Sequence, residues 1–100
     1  MRDFVYVEDT VEALRLAMRA AVGHTAAVFN VCSGVGTSIN ELASTIARIK
    51  REPLSPNYVS ARLGDIRISV GNPALAQAQL GHRTRISLQE GLARTIEWLG

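Results

Sequence analysis

The sequence predicts a small mixed α/β domain with few short strands and about four helices. Three observations carry that expectation. Apolar residues recur at helical spacing in four separate stretches, short β-branched or aromatic runs lie between them, and glycine, proline or a serine–glutamate pair marks most boundaries. The chain has 100 residues and reads as one domain, 1–100, with no internal repeat and no low-complexity tract.

From the N-terminus, Phe4-Val5-Tyr6-Val7 is a strand by β-propensity. Asp9 reads as an N-cap with Glu12 three positions on. Val11, Leu14, Met18 and Ala21 follow at helical spacing, which predicts a helix over 10–22 closed by Gly23. The next strand is Ala27 to Val31, apolar enough to be buried on both faces. After the turn around Gly34 and Gly36, Ser38-Ile39-Asn40-Glu41 is a capping box, and Ile39, Leu42, Ala43, Ile46 and Ile49 form the stripe of a helix that stops before Pro53.

Residues 53–64 read as loop, with a short strand at Tyr58-Val59. Ile66, Ile68 and Val70 alternate with Arg67 and Ser69, the pattern of a half-buried strand. Asn72-Pro73 starts a short helix that runs to Leu80 and ends at Gly81. Ser87-Leu88-Gln89-Glu90 is a second capping box, and Leu88, Leu92, Ile96 and Leu99 mark the buried face of a terminal helix over which Trp98 packs.

Composition excludes several classes. A hydrophobic fraction of 47% with 20% charged residues argues against disorder. The net charge of +2 is spread along the chain, no basic run exceeds Lys50-Arg51, and only 5% of residues are aromatic, so the clustered basic face of a nucleic-acid binder is missing. The first residues lack a basic segment followed by a long apolar run, and no stretch reaches about 20 consecutive apolar residues, so neither export nor membrane spanning is expected. The lone Cys32 has no partner for a disulfide or a metal, which fits a reducing, cytoplasmic setting.

Two stretches have chemical content. Val28 to Leu42 has the layout of a phosphate-binding loop: strand, glycine turn, capped helix. Gly34 and Gly36 supply two glycines of a dinucleotide fingerprint, but Ile39 takes the third place, and the expected second strand ending in an acid is replaced by the helix end Lys50-Arg51-Glu52-Pro53. A tight strand-to-helix connection is the plainer reading. Arg62-Leu63-Gly64-Asp65 either turns a guanidinium fork and a carboxylate toward one ligand or is a surface turn with a solvated ion pair. His24 and His82, each beside a glycine, read as surface or capping residues. Asp9, Glu41 and Glu90 are accounted for by capping, and no catalytic triad or dyad stands out.

In order, Arg2-Asp3-Phe4-Val5-Tyr6-Val7-Glu8-Asp9, Phe29-Asn30-Val31-Cys32-Ser33-Gly34 with Thr37-Ser38, Arg62-Leu63-Gly64-Asp65, Leu80-Gly81, and Ser87-Leu88-Gln89-Glu90-Gly91-Leu92 with Trp98 resemble the C-terminal part of the extended short-chain dehydrogenase/reductases. Within them the chain is most similar to the NAD-dependent nucleotide-sugar epimerases and dehydratases of the UDP-glucose 4-epimerase type, over essentially its whole length. The resemblance implies the C-terminal part of a Rossmann-type fold that lacks the NAD-binding half. It implies that Arg2 and Arg62 contact a diphosphate, that Asp65 holds ribose hydroxyls, and that Phe4 lies near the nucleotide. NAD would be bound by full-length relatives and not by this chain alone.

The family's catalytic Tyr-x-x-x-Lys is absent, since Tyr6 is followed four places on by Thr10 and Tyr58 by Arg62, so this chain is not expected to catalyse epimerisation alone. Cys32 stands where glycine is usual, Leu63 where proline is usual and Asn72 where aspartate is usual, while His82 and Thr84 replace a frequent tryptophan and proline. The expected ligand is a nucleotide-diphosphate sugar, held weakly without the missing Rossmann domain. The alternative is a structural domain that forms a homodimer through an exposed strand edge and keeps only vestigial ligand binding.

Overall fold

Four helices organise the chain in the computed structural model, which describes residues 1–20 and 26–100. They are α1 (Val7–Ala20), α2 (Ile39–Lys50), α3 (Ala74–Leu80) and α4 (Leu88–Leu99), with α1 against α3 and α2 against α4. The predicted closure of the first helix at Gly23, and His24, lie outside the described residues.

The helix boundaries follow local chemistry. At α2 the capping box forms as read: Ser38 Oγ accepts from the Glu41 N–H at 3.1 Å, and Glu41 Oε2 accepts from the Ser38 N–H at 2.8 Å. The helix ends at Arg51, in the left-handed region at φ 55, two residues before Pro53. Asn72 Oδ1 accepts from the Ala74 N–H at 3.0 Å to start α3, and Gly81 at φ 68 ends it. At α4 only half the predicted box forms: Ser87 Oγ takes the Glu90 N–H, but the Glu90 carboxylate turns to Arg94 at 2.7 Å.

The predicted strands do not form among the described residues. Phe4–Tyr6, 27–31, 58–59 and 66–70 carry no ladder, and Val7 is drawn into α1. β pairing is confined to two isolated bridges, Arg2 antiparallel to Thr37 and Arg2 parallel to Ser69. The residue types are right for strands, but a strand exists only with a neighbour that takes its N–H and C=O groups. Among the described residues the neighbours are missing, and Val28, Ile66 and Ile68 are exposed.

The apolar stripes are covered only in part. Among the described residues, Ala13, Cys32 and Ala76 are the buried apolar ones. Val11, Leu14 and Met18 on α1, Ile39 on α2, and Trp98 and Leu99 on α4, all expected in a core, are exposed. The chain presents 7969 Å² of surface, whereas a compact monomer of 10.8 kDa presents about 5,500 Å². Its radius of gyration is 16.4 Å, against about 13 Å for a compact 100-residue domain. The α1 stripe and the end of α4 therefore face outward, while Leu42, Ile46 and Ile49 on α2 and Leu88, Leu92 and Ile96 on α4 are half-buried.

What order there is centres on the N-terminal run. Gly91 of α4 lets Tyr6 lie against the helix: a Cβ at 91 would stand 3.1 Å from Tyr6 Cβ and Cδ1. Arg94 sits over the Tyr6 ring, 5.8 Å from its centroid, and bridges Glu8 at 2.9 Å and Glu90 at 2.7 Å. These contacts are exposed and individually weak. Together they seat residues 4–8 on α4.

Candidate functional site

The site is built outward from Arg2. Its backbone is held on both sides: Arg2 N–H donates to Thr37 O at 2.9 Å, Thr37 N–H returns to Arg2 O at 2.8 Å, and Ser69 N–H donates to Met1 O at 2.9 Å. The guanidinium Nη1 donates to Ile66 O at 2.5 Å and to Met1 O at 3.3 Å. Arg2 thus lies on the residue that directly follows the Arg62-Leu63-Gly64-Asp65 turn. That turn closes through Asp65 N–H to Arg62 O at 3.3 Å, with Gly64 at φ 86, a conformation that L side chains rarely adopt.

The side chains of Arg62 and Asp65 make no hydrogen bond or ion pair with any described residue, and both are exposed. Of the two readings of the turn, the solvated ion pair is therefore not formed. Phe4 lines a separate apolar cleft of about 130 Å³ whose other walls include Tyr6, Ile86, Leu88, Gly91 and Leu92. The structure brings Arg2 to the 62–65 turn, and sets Phe4 two residues away along the same run, against α4.

Sequence reasoning missed Asp3. Its carboxylate collects four donors: Ser33 N–H at 2.9 Å and Ser33 Oγ at 2.5 Å on Oδ1, Gly34 N–H at 2.8 Å and Gly71 N–H at 3.3 Å on Oδ2. Burial pushes this carboxyl up, but the hydrogen bonds from Ser33, Gly34 and Gly71 outweigh it and hold Asp3 below the usual carboxylate range. No local signal marks it, because its donors lie 30, 31 and 68 residues away in sequence.

A pH dependence follows from this shift. A carboxyl whose pKa is lower folded than unfolded stabilises fully above its unfolded pKa of about 3.9, and the stabilisation is lost as pH falls through the lowered value. The melting temperature should therefore drop below about pH 4, and more steeply in the parent chain than in Asp3→Asn. Parallel acid slopes in circular-dichroism melts would contradict the assignment.

Asp3 also decides what the glycine turn can hold. A pyrophosphate cradle needs unoccupied N–H groups. Here the Ser33 and Gly34 donors are taken by Asp3, and Ser33 Oγ accepts from Val35 N–H at 3.0 Å. The turn does not fit the dinucleotide's pyrophosphate. It is a connection fastened by a carboxylate. Cys32 beside it is buried, and burial together with the Asp3 charge pushes its thiol up, so it is no nucleophile.

Two readings of single residues are corrected. Asp9 is not an N-cap: it lies inside α1, 5% exposed, and its carboxylate accepts from the N–H groups of Arg85 at 3.0 Å and Ile86 at 3.1 Å. His82 is not at the surface: it is 2% exposed, with Nε2 2.9 Å from Asp9 O. Because a carbonyl only accepts, Nε2 carries the proton. Glu12, freed from capping, pairs with Arg15. No group of His, Cys, Asp and Glu among the described residues could hold a metal, and no described helix is long and apolar enough to cross a membrane.

Comparison with known proteins gives the context. The chain is 39% identical over 97 residues to a UDP-glucose 4-epimerase of Mycolicibacterium smegmatis, an alignment that takes in 97% of this chain and 30% of that one. Its fold superposes with a TM-score of 0.88, at 37% identity, on the Thermotoga maritima UDP-glucose 4-epimerase solved with UDP-glucose, covering 97% of this chain and 30% of the other. MoeE5, solved with UDP-glucuronic acid and NAD, superposes with a TM-score of 0.83 at 37% identity, over 97% of this chain and 32% of that one. No family model matches the chain. It spans about 30% of the length of the curated relatives it matches.

Proposed function

Since this chain shares sequence and fold, over its whole length, with one portion of the extended short-chain dehydrogenase/reductases of the UDP-glucose 4-epimerase type, we propose that it is the nucleotide-sugar-binding portion of such a protein and is not catalytic alone. In this reading Arg2 and Arg62 hold the diphosphate, Asp65 accepts from the ribose hydroxyls, and Phe4 contributes an apolar wall near the nucleotide. The observation that carries it is the position of the Arg2 guanidinium on Ile66 O, beside a turn whose arginine and aspartate have no partner among the described residues. Cations and a carboxylate left unpaired at one loop suit a ligand with phosphates and hydroxyls.

Affinity is expected to be weak, because a site without its remaining walls does not exclude water. Titration calorimetry with UDP and with uridine tests the reading. Arg62→Gln should weaken UDP about tenfold, the effect of one charged hydrogen-bonded contact, and leave uridine unchanged. A flat UDP isotherm at millimolar ligand removes the proposal.

A second reading is favoured by the surface. The chain exposes roughly 2,400 Å² more than a compact monomer of its mass, and Val7, Val11, Leu14 and Met18 line one side of α1 in the open. Stable interfaces bury about 800 Å² per partner, so this excess exceeds what one such contact needs. The cover we propose is the NAD-binding portion of an epimerase-type protein; the alternative is a second copy, paired through this α1 face because the strand edge expected to pair it does not form among the described residues. Sedimentation of the chain separates them. A monomer from micromolar to millimolar concentration removes the homodimer, and a dimer broken by Leu14→Asp establishes it.

A further inference from the structure

We infer that Asp3 is a positioning residue: by fastening the Ser33-Gly34 turn and Gly71 to the N-terminal run, it holds the Arg2 guanidinium against Ile66 O beside the Arg62–Asp65 turn. The inference rests on the diphosphate reading of that site and adds to it the group that sets the geometry.

Three stretches of backbone meet at Arg2: the run 1–3, the turn 33–37 and the segment 66–71. None belongs to a strand ladder; among the described residues the junction has three amide-to-carbonyl hydrogen bonds, the Arg2–Thr37 pair and Ser69 to Met1, besides the Met1 amino group on Arg67 O and Arg2 Nη1 on Ile66 O. Asp3 adds four more from one carboxylate, two to Ser33, one to Gly34 and one to Gly71. Hydrogen bonds to an ionised acceptor are roughly twice as strong as neutral ones. A large share of the fastening at this corner therefore comes from the residue next to Arg2.

The arrangement also spares the charge of Arg2. Asp3 and Arg2 are adjacent in sequence, yet no ion pair joins them, because the carboxylate is turned to Ser33, Gly34 and Gly71. Arg2 in turn donates to two carbonyls, which orient a guanidinium without neutralising it. Its positive charge is left for an anionic ligand. An acid that orders an arginine through the backbone, instead of pairing with it, keeps the site attractive to a diphosphate.

A double-mutant cycle with UDP tests this. Asp3→Asn places an amide N–H₂ where carboxylate oxygens met N–H donors, and should weaken UDP about tenfold while leaving uridine unchanged. Arg2→Gln should weaken UDP to a similar degree. If Asp3 acts through Arg2, the double variant is no weaker than Arg2→Gln alone; losses that multiply would overturn the inference. Should Asp3→Asn not fold, Ser33→Ala removes one of the four donors to Asp3 together with the acceptor of Val35 N–H, and about a twofold to threefold loss that likewise vanishes in the Arg2→Gln background is expected. If the parent chain does not bind UDP at all, the diphosphate reading falls. Positioning is then read from the ligand-free protein, where the Arg2 Nη1 hydrogens, which donate to Ile66 O and Met1 O, should exchange more slowly than in Asp3→Asn; equal exchange would refute it.

Discussion

Gly71→Ala is expected to destabilise the chain by about 2–3 kcal/mol, the upper part of the range for overpacking. A Cβ at 71 would lie 2.5 Å from Cys32 Sγ and 2.7 Å from Cys32 Cβ. The sulfur could rotate away, but the Cys32 Cβ moves only with its backbone, and Cys32 is among the few buried apolar residues. Displacing residue 71 also pulls its N–H from Asp3 Oδ2, so the Arg2 corner loosens with the fold. Urea unfolding gives the magnitude, and a second substitution isolates the cause. Cys32→Ala in the Gly71→Ala background leaves the Cβ in place and should restore little. Cys32→Gly removes it and should restore most of the loss. Equal rescue by both would mean the sulfur, not the close approach of two backbones, is responsible.

Asp9→Ala should cost about 3 kcal/mol, because it leaves two N–H groups unpaired next to buried surface, each worth about 1–3 kcal/mol. Those donors belong to Arg85 and Ile86, which lead directly into the Ser87 cap of α4. The same carboxylate therefore sets how α4 leaves the 82–86 segment, and Ile86 is a wall of the Phe4 cleft. Asp9→Asn keeps one acceptor and should lose about half as much. Chemical denaturation that finds less than about 0.5 kcal/mol, the level of an ordinary surface change, would show the bonds to be dispensable.

How far the sequence could be read depended on where each group's partner lies. The starts of α2 and α4 and the end of α3 were legible because Ser38 with Glu41, Ser87 with Glu90, and Gly81 complete their chemistry within one turn. Asp9 was misread for a related reason. Its spacing to Glu12 copies a capping box, while its real partners are 76 and 77 residues away. The strands and apolar stripes were read for the right residue types, yet an alternation such as Ile66, Ile68 and Val70 says only that a cover is needed. Among the described residues that cover is missing, and Ile66, Ile68 and Val70 are exposed.

For the site, residue chemistry alone left the Arg62–Asp65 turn between two meanings. The family resemblance singled out Arg2, Phe4, Arg62 and Asp65 together. The structure contributed the hydrogen bond from Arg2 to Ile66 O, which joins residues 64 apart in sequence. Asp3 was out of reach, since its donors come from positions 30, 31 and 68 residues distant and no spacing rule connects them.

The central claim is that one diphosphate is held by Arg2 and Arg62 together. Arginine side-chain N–H resonances followed through a UDP titration test it most directly. Arg2 and Arg62 Nε–H should move together and fit a single dissociation constant, while Arg19 and Arg48, on α1 and α2, stay fixed. If either Arg2 or Arg62 holds still while UDP binds, or if all the arginines drift alike as for a diffuse counterion, the two do not share a ligand.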